Sequence, residues 1–278
     1  MSGALFRATL TLSRWAVVGW AVFLALYGVL IGALFPSVQE AMGAMGLRQY
    51  IESMPEVLKT VTGVTDERLL QEVLGETGMT FPGYLAVEYL SWWPILVGTY
   101  AFLFCSGIVA REVERGTMEL LLSQPVARWV VVASKFLAFG VIIALVAVLS
   151  VIGIGLGQPL ADAEVDLGRV LLALLQGGLV VVAIGSYSLL ISCVVGDPRK
   201  AAVLAGGVTA ALYVVNFLGP LLDSLDWVQR LSIFYYYRPL EVLTMGEFHL
   251  SSLAVYMGVA AAAFAAAVVL FERRRAVV

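Results

Sequence analysis

Long runs of apolar residues, separated by charged segments, dominate the pattern of this chain. Six of them reach the length of about 20 residues that a helix needs to cross the hydrocarbon core of a bilayer. None contains Asp, Glu, Lys, Arg or His, and they cover residues 16–35, 92–110, 136–156, 170–195, 201–218 and 253–271. The pattern predicts an all-α polytopic membrane protein, with six transmembrane helices in one domain spanning residues 1–278.

The segments between the apolar runs predict further helices outside the membrane. Residues 5–14 mix leucine and phenylalanine with Arg7 and Arg14, which is typical of a short interfacial helix leading into the first span. The long external loop, residues 36–91, carries apolar residues at helical spacing around 51–61 among many acidic ones. We expect one or two amphipathic helices there, lying on the outer surface.

Composition agrees with lipid as the solvent. The chain is 61% hydrophobic and only 13% charged, and that charged share is about half of what soluble domains carry. A soluble core of this size could not bury so much apolar surface.

The basic residues predict the orientation. With the N-terminus in the cytoplasm, eleven of the seventeen Lys and Arg residues lie inside, and fifteen of the twenty acidic residues lie outside. Cytoplasmic loops of membrane proteins carry an excess of Lys and Arg. We therefore expect a multi-pass protein of the cell membrane with both termini in the cytoplasm.

Two pairs of glycines stand at the spacing that lets helix backbones approach closely. They are Gly28 with Gly32, and Gly153 with Gly157. Such pairs serve either packing within one subunit or a dimer interface, and the sequence leaves both open. The cysteines, Cys105 and Cys193, lie in apolar runs, so we expect buried thiols and no disulfide framework.

Enzyme chemistry finds little support. The single histidine, His249, has no second His or Cys near it in sequence to complete a metal site. Ser186 and Ser192 lie in a run without a His or Lys that could activate a nucleophile. The chain has no GxxxxGK[ST] phosphate loop. We expect no cofactor on this chain and no nucleic acid as partner.

The absence of ionisable residues from the six spans indicates how transport would be driven. Ion-coupled carriers and channels usually keep ionisable residues inside the membrane. Because these spans have none, we expect any driving energy to come from a partner protein.

The loop between the second and third spans, residues 111–135, is the most informative segment. Gly116 permits a tight bend, Thr117 is a good helix N-cap, Glu119 suits the positive end of a helix, and Pro125 stops it. The short helix so predicted carries the apolar residues 120–122. Such a helix either docks on another protein or packs on its own bundle, and the pattern alone does not choose.

This loop resembles the signature of type 2 ATP-binding-cassette permeases. The string ERGTMELLLSQPVAR, residues 114–128, is similar to the family pattern E-x-G-T-x-E-x-L-L-x-x-P-V-x-R, and Lys135 matches a lysine that follows it. Residues 231–240 resemble the F-x-Y-x-x-P element found outside between the last two spans, and the basic tail at 271–275 is also similar.

The resemblance implies a six-span permease fold with an interfacial helix and a cytoplasmic coupling helix. Two permease chains pair, here as an expected homodimer, and each docks on a separate cassette ATPase that binds ATP and Mg. The residues implied in ATPase coupling are Glu112, Glu114, Gly116, Thr117, Glu119, Leu120, Leu121, Leu122, Ser123, Pro125 and Arg128. The external aromatic element comprises Phe234, Tyr235, Tyr236, Tyr237 and Pro239.

The function expected from this resemblance is the membrane subunit of an ATP-driven exporter. Because the spans have no ionisable residue, we expect its substrate to be apolar or amphiphilic. A non-transport membrane scaffold or assembly factor is the competing interpretation, because spans without charge suit it equally well. A neighbouring gene for a cassette ATPase, or its co-purification, distinguishes the two. An ion-driven carrier is disfavoured by the empty spans.

Overall fold

The computed structural model describes residues 3–41, 74–75, 78–117, 127–219 and 226–273. Six helical segments in this part of the chain are long and apolar enough to cross a membrane. The prediction of an all-α protein with six transmembrane helices is therefore confirmed. Strand structure among these residues is limited to a two-stranded antiparallel pair, β1 (Leu74–Gly75) and β2 (Gly78–Met79).

The helices follow one another with short connections wherever the connection is described. A π-helical turn (Ala86–Leu90) follows the α-helix at Phe81–Leu85, and a 3-10 turn (Ile233–Tyr236) precedes the α-helix at Pro239–Met245. The α-helices are α1 (Gly3–Ala41), α2 (Phe81–Leu85), α3 (Trp93–Cys105), α4 (Gly107–Glu114), α5 (Arg128–Ala161), α6 (Leu167–Val195), α7 (Pro198–Leu218), α8 (Asp226–Gln229), α9 (Pro239–Met245) and α10 (Leu250–Arg273).

Helix α1 is longer than the expected first span at both ends. Residues 5–14 are helical, as expected of an interfacial helix, but they continue into the span without a break. A helix of this length extends about 58 Å at 1.5 Å per residue, well beyond a hydrocarbon core of about 30 Å. Both ends of α1 therefore reach past the membrane core. The amphipathic helices expected near residues 51–61 lie outside the described residues.

The second span begins earlier than expected and is divided into α2, a π-helical turn, α3 and α4. Residues 81–90, which the sequence assigned to the external loop, are helical and bury Phe81, Leu85 and Leu90. The Thr80 hydroxyl accepts a hydrogen bond from the Gly83 amide at 3.2 Å and caps this segment. The ring of Phe81 lies 5.1 Å from that of Phe35 on α1. Packing against α1 thus extends the span outward.

The two glycine pairs pack against each other inside one chain. A Cβ atom added to Gly32 would overlap the carbonyl of Gly157, and one added to Gly153 would overlap the backbone of Ala25. Gly28 likewise faces the backbone of α5, with an added Cβ 2.9 Å from the Ile154 nitrogen. Of the two roles left open by the sequence, these glycines serve packing of α1 on α5 within the subunit.

Helix α6 is the centre of the bundle, and α7 lies at its edge. Helix α6 packs against α3, α5, α7 and α10 and buries polar residues such as Gln176 and Ser192. Helix α7 buries only Ala201 and Ala205. Most of the surface of α7 is therefore left for lipid or for a second protein.

Candidate functional site

One end of the bundle collects the family-like motif, and it begins with a break in the second span. Helix α3 ends at Cys105 and α4 restarts after Ser106. The hydroxyl oxygen of Ser192, on α6, accepts hydrogen bonds from the amides of Val109 and Ala110 at 3.3 and 3.0 Å. Ser192 thereby satisfies donors in the first turn of α4, as a capping side chain does, but from another helix.

An ion pair joins the end of α4 to the beginning of α5. The Lys135 ammonium lies 2.6 Å from the Glu112 carboxylate and donates a second hydrogen bond to the Ile108 carbonyl at 3.3 Å. The Lys135 side chain is 12% exposed and that of Glu112 is 26% exposed. A pair shielded in this way is screened less by salt than a surface pair.

The residues that follow α4 fold back onto the same carboxylate. Gly116 has φ +66°, a left-handed conformation that glycine adopts without a Cβ penalty. The next residue, Thr117, places its hydroxyl against the Glu112 carboxylate and 3.3 Å from the Glu112 carbonyl oxygen. Glu112 is therefore the hub of a network with Lys135 and Thr117. We call this end of the bundle, with Ser192, the motif end.

A capped turn between α6 and α7 completes the motif end. Gly196 ends α6 with φ 72°, and the Asp197 carboxylate accepts hydrogen bonds from the amides of Arg199 at 2.8 Å and Lys200 at 3.1 Å. These hydrogen bonds, that of Lys200 foremost, lower the pKa of Asp197 because they stabilise its charged form. Helix α7 thus starts at a fixed position beside α4.

The aromatic element lies at the opposite end and is tied to several spans. The Tyr237 hydroxyl donates to the Leu90 carbonyl at 2.8 Å. The Tyr236 carbonyl accepts from the Ser252 hydroxyl on α10 at 2.9 Å, and from the Gln176 amide on α6 at 3.5 Å.

Aromatic packing and a side-chain hydrogen bond hold the same element against α7. The Ser232 hydroxyl donates to the Leu212 carbonyl at 2.7 Å, and the rings of Phe234 and Tyr213 meet edge to face at 5.4 Å. Pro239 is buried and opens α9. The element therefore connects Leu90, near the beginning of the second span, with α6, α7 and α10, which are the fourth, fifth and sixth spans.

Residues 7–276 match the family model described as "ABC-2 family transporter protein". The chain belongs to the ABC-2 transporter family. A curated relative, "Uncharacterized protein YhcI" of Bacillus subtilis (strain 168), is 29% identical over 97 residues. That match covers 34% of this chain and 30% of the relative, so the chain spans about a third of the relative's length.

The match covers nearly the whole chain, so the six candidate spans are those of an ABC-2 family membrane protein. The resemblance read from residues 114–128 is confirmed at the level of the family.

The expected coupling residues of this ABC-2 protein fall into two groups, those that the structure describes and those within residues 118–126, which lie outside the described part of the chain. Glu112, Glu114, Gly116 and Thr117 are gathered at the end of α4, where Glu114 and Gly116 are exposed. Arg128 is the first residue of α5. The remaining residues, Glu119, Leu120, Leu121, Leu122, Ser123 and Pro125, lie outside the described part of the chain.

Sequence reasoning missed two connections at this site. Ser192 was considered only as a nucleophile, whereas its oxygen accepts amides from a helix about 80 positions earlier in the chain. Lys135 was noted as part of a motif, but its pairing with Glu112 was not anticipated. The one available signal was a lysine placed just before an apolar span, where an unpaired charge is costly.

Proposed function

We propose that this chain is the permease subunit of an ATP-driven exporter, with ATP hydrolysed on a separate cassette ATPase. The observation that supports this most directly is the placement of the E-x-G-T motif. It lies at the joint between α4 and α5, at an end of the bundle rich in basic residues, within a chain that matches the ABC-2 family over residues 7–276. A docking segment at this joint would be connected directly to two membrane spans.

The proposed ATPase contact is the segment at residues 118–126. Its leucines, 120–122, would fill an apolar cleft on the ATPase, and ATP and Mg would remain on that partner. Replacing Leu121 by Asp should weaken the complex, because it places a charge in an apolar contact. Central interface residues cost about 2 kcal/mol or more when truncated, equivalent to a roughly 30-fold rise in Kd.

Affinity purification of the full chain in mild detergent, with quantification of the cassette ATPase that accompanies it, tests this contact. Leu121→Met is the matched control, since it keeps the apolar character and nearly the volume. Wild-type recovery of the ATPase with Leu121→Asp would show that the leucines pack within the bundle. If no ATPase accompanies the wild-type chain, the competing scaffold interpretation is favoured.

A second, identical permease chain is proposed as the other partner. A closed two-fold assembly is the simplest arrangement for a six-span half, and the sparsely buried α7, with Val203 75% exposed, leaves apolar surface for it. Native mass spectrometry should find two copies of this chain and two ATPase chains. One copy per complex would reject the pairing, and a different second permease would reject only the homodimer.

The proposed substrate is apolar or amphiphilic. The six predicted spans contain no Asp, Glu, Lys, Arg or His, and the outward extension of the second span to residues 81–90 adds only Glu88. A strongly charged substrate would therefore lack counter-charges along most of its path. In liposomes with the co-purified ATPase, a fluorescent phospholipid or a lipophilic cationic dye should move only with ATP. Movement should stop with a hydrolysis-dead ATPase and should ignore a protonophore. Transport driven by an ion gradient alone would refute the proposal.

A further inference from the structure

The Glu112–Lys135 pair joins the two helices between which residues 118–126 run. Glu112 lies in the last turn of α4, and Lys135 lies in the second turn of α5. Force applied to the intervening segment is transmitted along the chain to these two helix ends. We propose that Glu112 and Lys135 are positioning residues that make α4 and α5 move as one body when the ATPase acts. This inference rests on the proposed function.

The contacts of Glu112 favour a role inside the chain over a role as an ATPase contact. Its carboxylate is 2.6 Å from the Lys135 ammonium and touches the Thr117 hydroxyl. Lys135 uses another of its three donors on the Ile108 carbonyl. By contrast Glu114, two residues further along α4, is exposed and free to face a partner protein.

The surroundings of the pair define what would move. Helix α4 is separated from α3 by the break at Ser106, and such breaks are places where helices bend. At the same time, Ser192 holds the first turn of α4 to α6. The pair adds α5 to this unit. A displacement of residues 118–126 would then shift α4 and the adjoining end of α5 together, instead of separating them.

The loss of the pair should therefore uncouple the two helices without removing the ATPase. Lys135→Met and Glu112→Gln each break the pair, and Lys135→Arg keeps its charge. The double variant removes both charges, so it leaves no unpaired ion and should fold as the wild type does. Glu114→Gln is the matched control, an exposed carboxylate on the same helix.

The test measures ATPase affinity and the separation of α4 from α5 in the full complex. Spin labels are placed at Val113→Cys and Trp129→Cys, which are exposed positions on the two helices. The native Cys105 and Cys193 are buried, and the chain without introduced cysteines, treated with the same spin label, controls for their labelling. Distances are recorded without nucleotide and in the ATP–vanadate state, after dilution with unlabelled chain.

In the wild type, Lys135→Arg and Glu114→Gln, the label distance should be the same in both states. In Lys135→Met and in the double variant, it should widen or broaden with ATP–vanadate, while ATPase affinity stays within about threefold of wild type. The ratio of probe transported to ATP hydrolysed should fall at least about fivefold, in the range expected for coupled residues.

Two results would overturn the inference while leaving the proposed function intact. One is a tenfold or larger loss of ATPase affinity in both Glu112→Gln and the double variant but not in Glu114→Gln, which would make Glu112 a direct ATPase contact. The other is an unchanged label distance in Lys135→Met with normal coupling. If the wild-type chain binds no ATPase, the proposed function itself fails and the coupling role falls with it.

Discussion

Single side chains at the motif end satisfy backbone groups that the helices themselves leave open. The break at Ser106 would leave amides of α4 without partners in a nearly apolar environment, where unsatisfied groups are costly. Ser192 supplies the acceptor from α6. A hydroxyl in an otherwise apolar helix thus stabilises a discontinuity in its neighbour.

Ser192→Ala should destabilise the protein by about 1–3 kcal/mol, the usual penalty for leaving buried donors unsatisfied. Ser188 is the matched control: it lies one turn away on α6 and is equally buried, but its hydroxyl donates at 2.6 Å to the Ile184 carbonyl within its own helix. Ser188→Ala should change stability little. Thermal unfolding in detergent measures both, and equal losses would show that Ser192 is not a special contact.

The lowered pKa of Asp197 predicts how the stability of the protein depends on pH. This pKa is lowered in the folded protein chiefly by the hydrogen bond from the Lys200 amide. The stability that Asp197 contributes is therefore present above the ordinary aspartate pKa of about 3.9 and is lost as the pH falls through the lower folded value.

Asp197→Asn keeps a good capping side chain but cannot ionise. The wild type should therefore melt at a higher temperature than Asp197→Asn near neutral pH, and the difference should shrink on acidification to about pH 3, below the ordinary aspartate pKa. Melting curves of the two proteins across this range provide the measurement. A difference that does not depend on pH would exclude a contribution from the carboxylate charge.

At the scale of elements, the contact between α1 and α5 depends on the absence of side chains. The glycines of both helices face opposing backbone atoms, which cannot be relieved by a change of rotamer. Close approach of backbones is a principal source of helix association in membranes, where burial of apolar surface gives no driving force.

Gly153→Ala should disrupt this contact and cost about 1–3 kcal/mol, as overpacking does. Gly140 lies on the same helix and has no atom within 4 Å of an added Cβ. Gly140→Ala should be neutral or slightly stabilising, because alanine is the better helix former. Comparison of their unfolding temperatures separates packing from helix propensity. A tolerated Gly153→Ala would mean that α1 and α5 are less close than described.

At the scale of the whole molecule, the basic residues predict that the motif end faces the cytoplasm. Helix α6 separates two exposed positions, Asp162 before its N-terminus and Arg199 after its C-terminus. Asp162→Cys should react with an impermeant maleimide added to intact cells, whereas Arg199→Cys should react only after permeabilisation. The reverse pattern would invert the topology and place Glu112 and Lys135 outside.

The sequence by itself determined the class of the molecule. Six spans follow from the length of the apolar runs and from their lack of charged residues, since the bilayer imposes one minimum length on every crossing helix. The motif at residues 114–128 placed the chain in its family because the motif is local and contiguous. The ends of the spans were harder to predict: residues 81–90 extend the second span and pack against α1, and that contact joins positions far apart in the chain.

Only the tertiary structure decided which residues are partners. Gly28 and Gly32 could have served a dimer, and the fold puts α5 against them. The family resemblance implies a coupling role for Glu112, and the fold adds Lys135 and Thr117 as its neighbours inside the chain. The pairing of Glu112 with Lys135 and the contact of α1 with α5 join positions far apart in the chain. A sequence pattern records which residues a helix exposes on one face but not which neighbour meets that face.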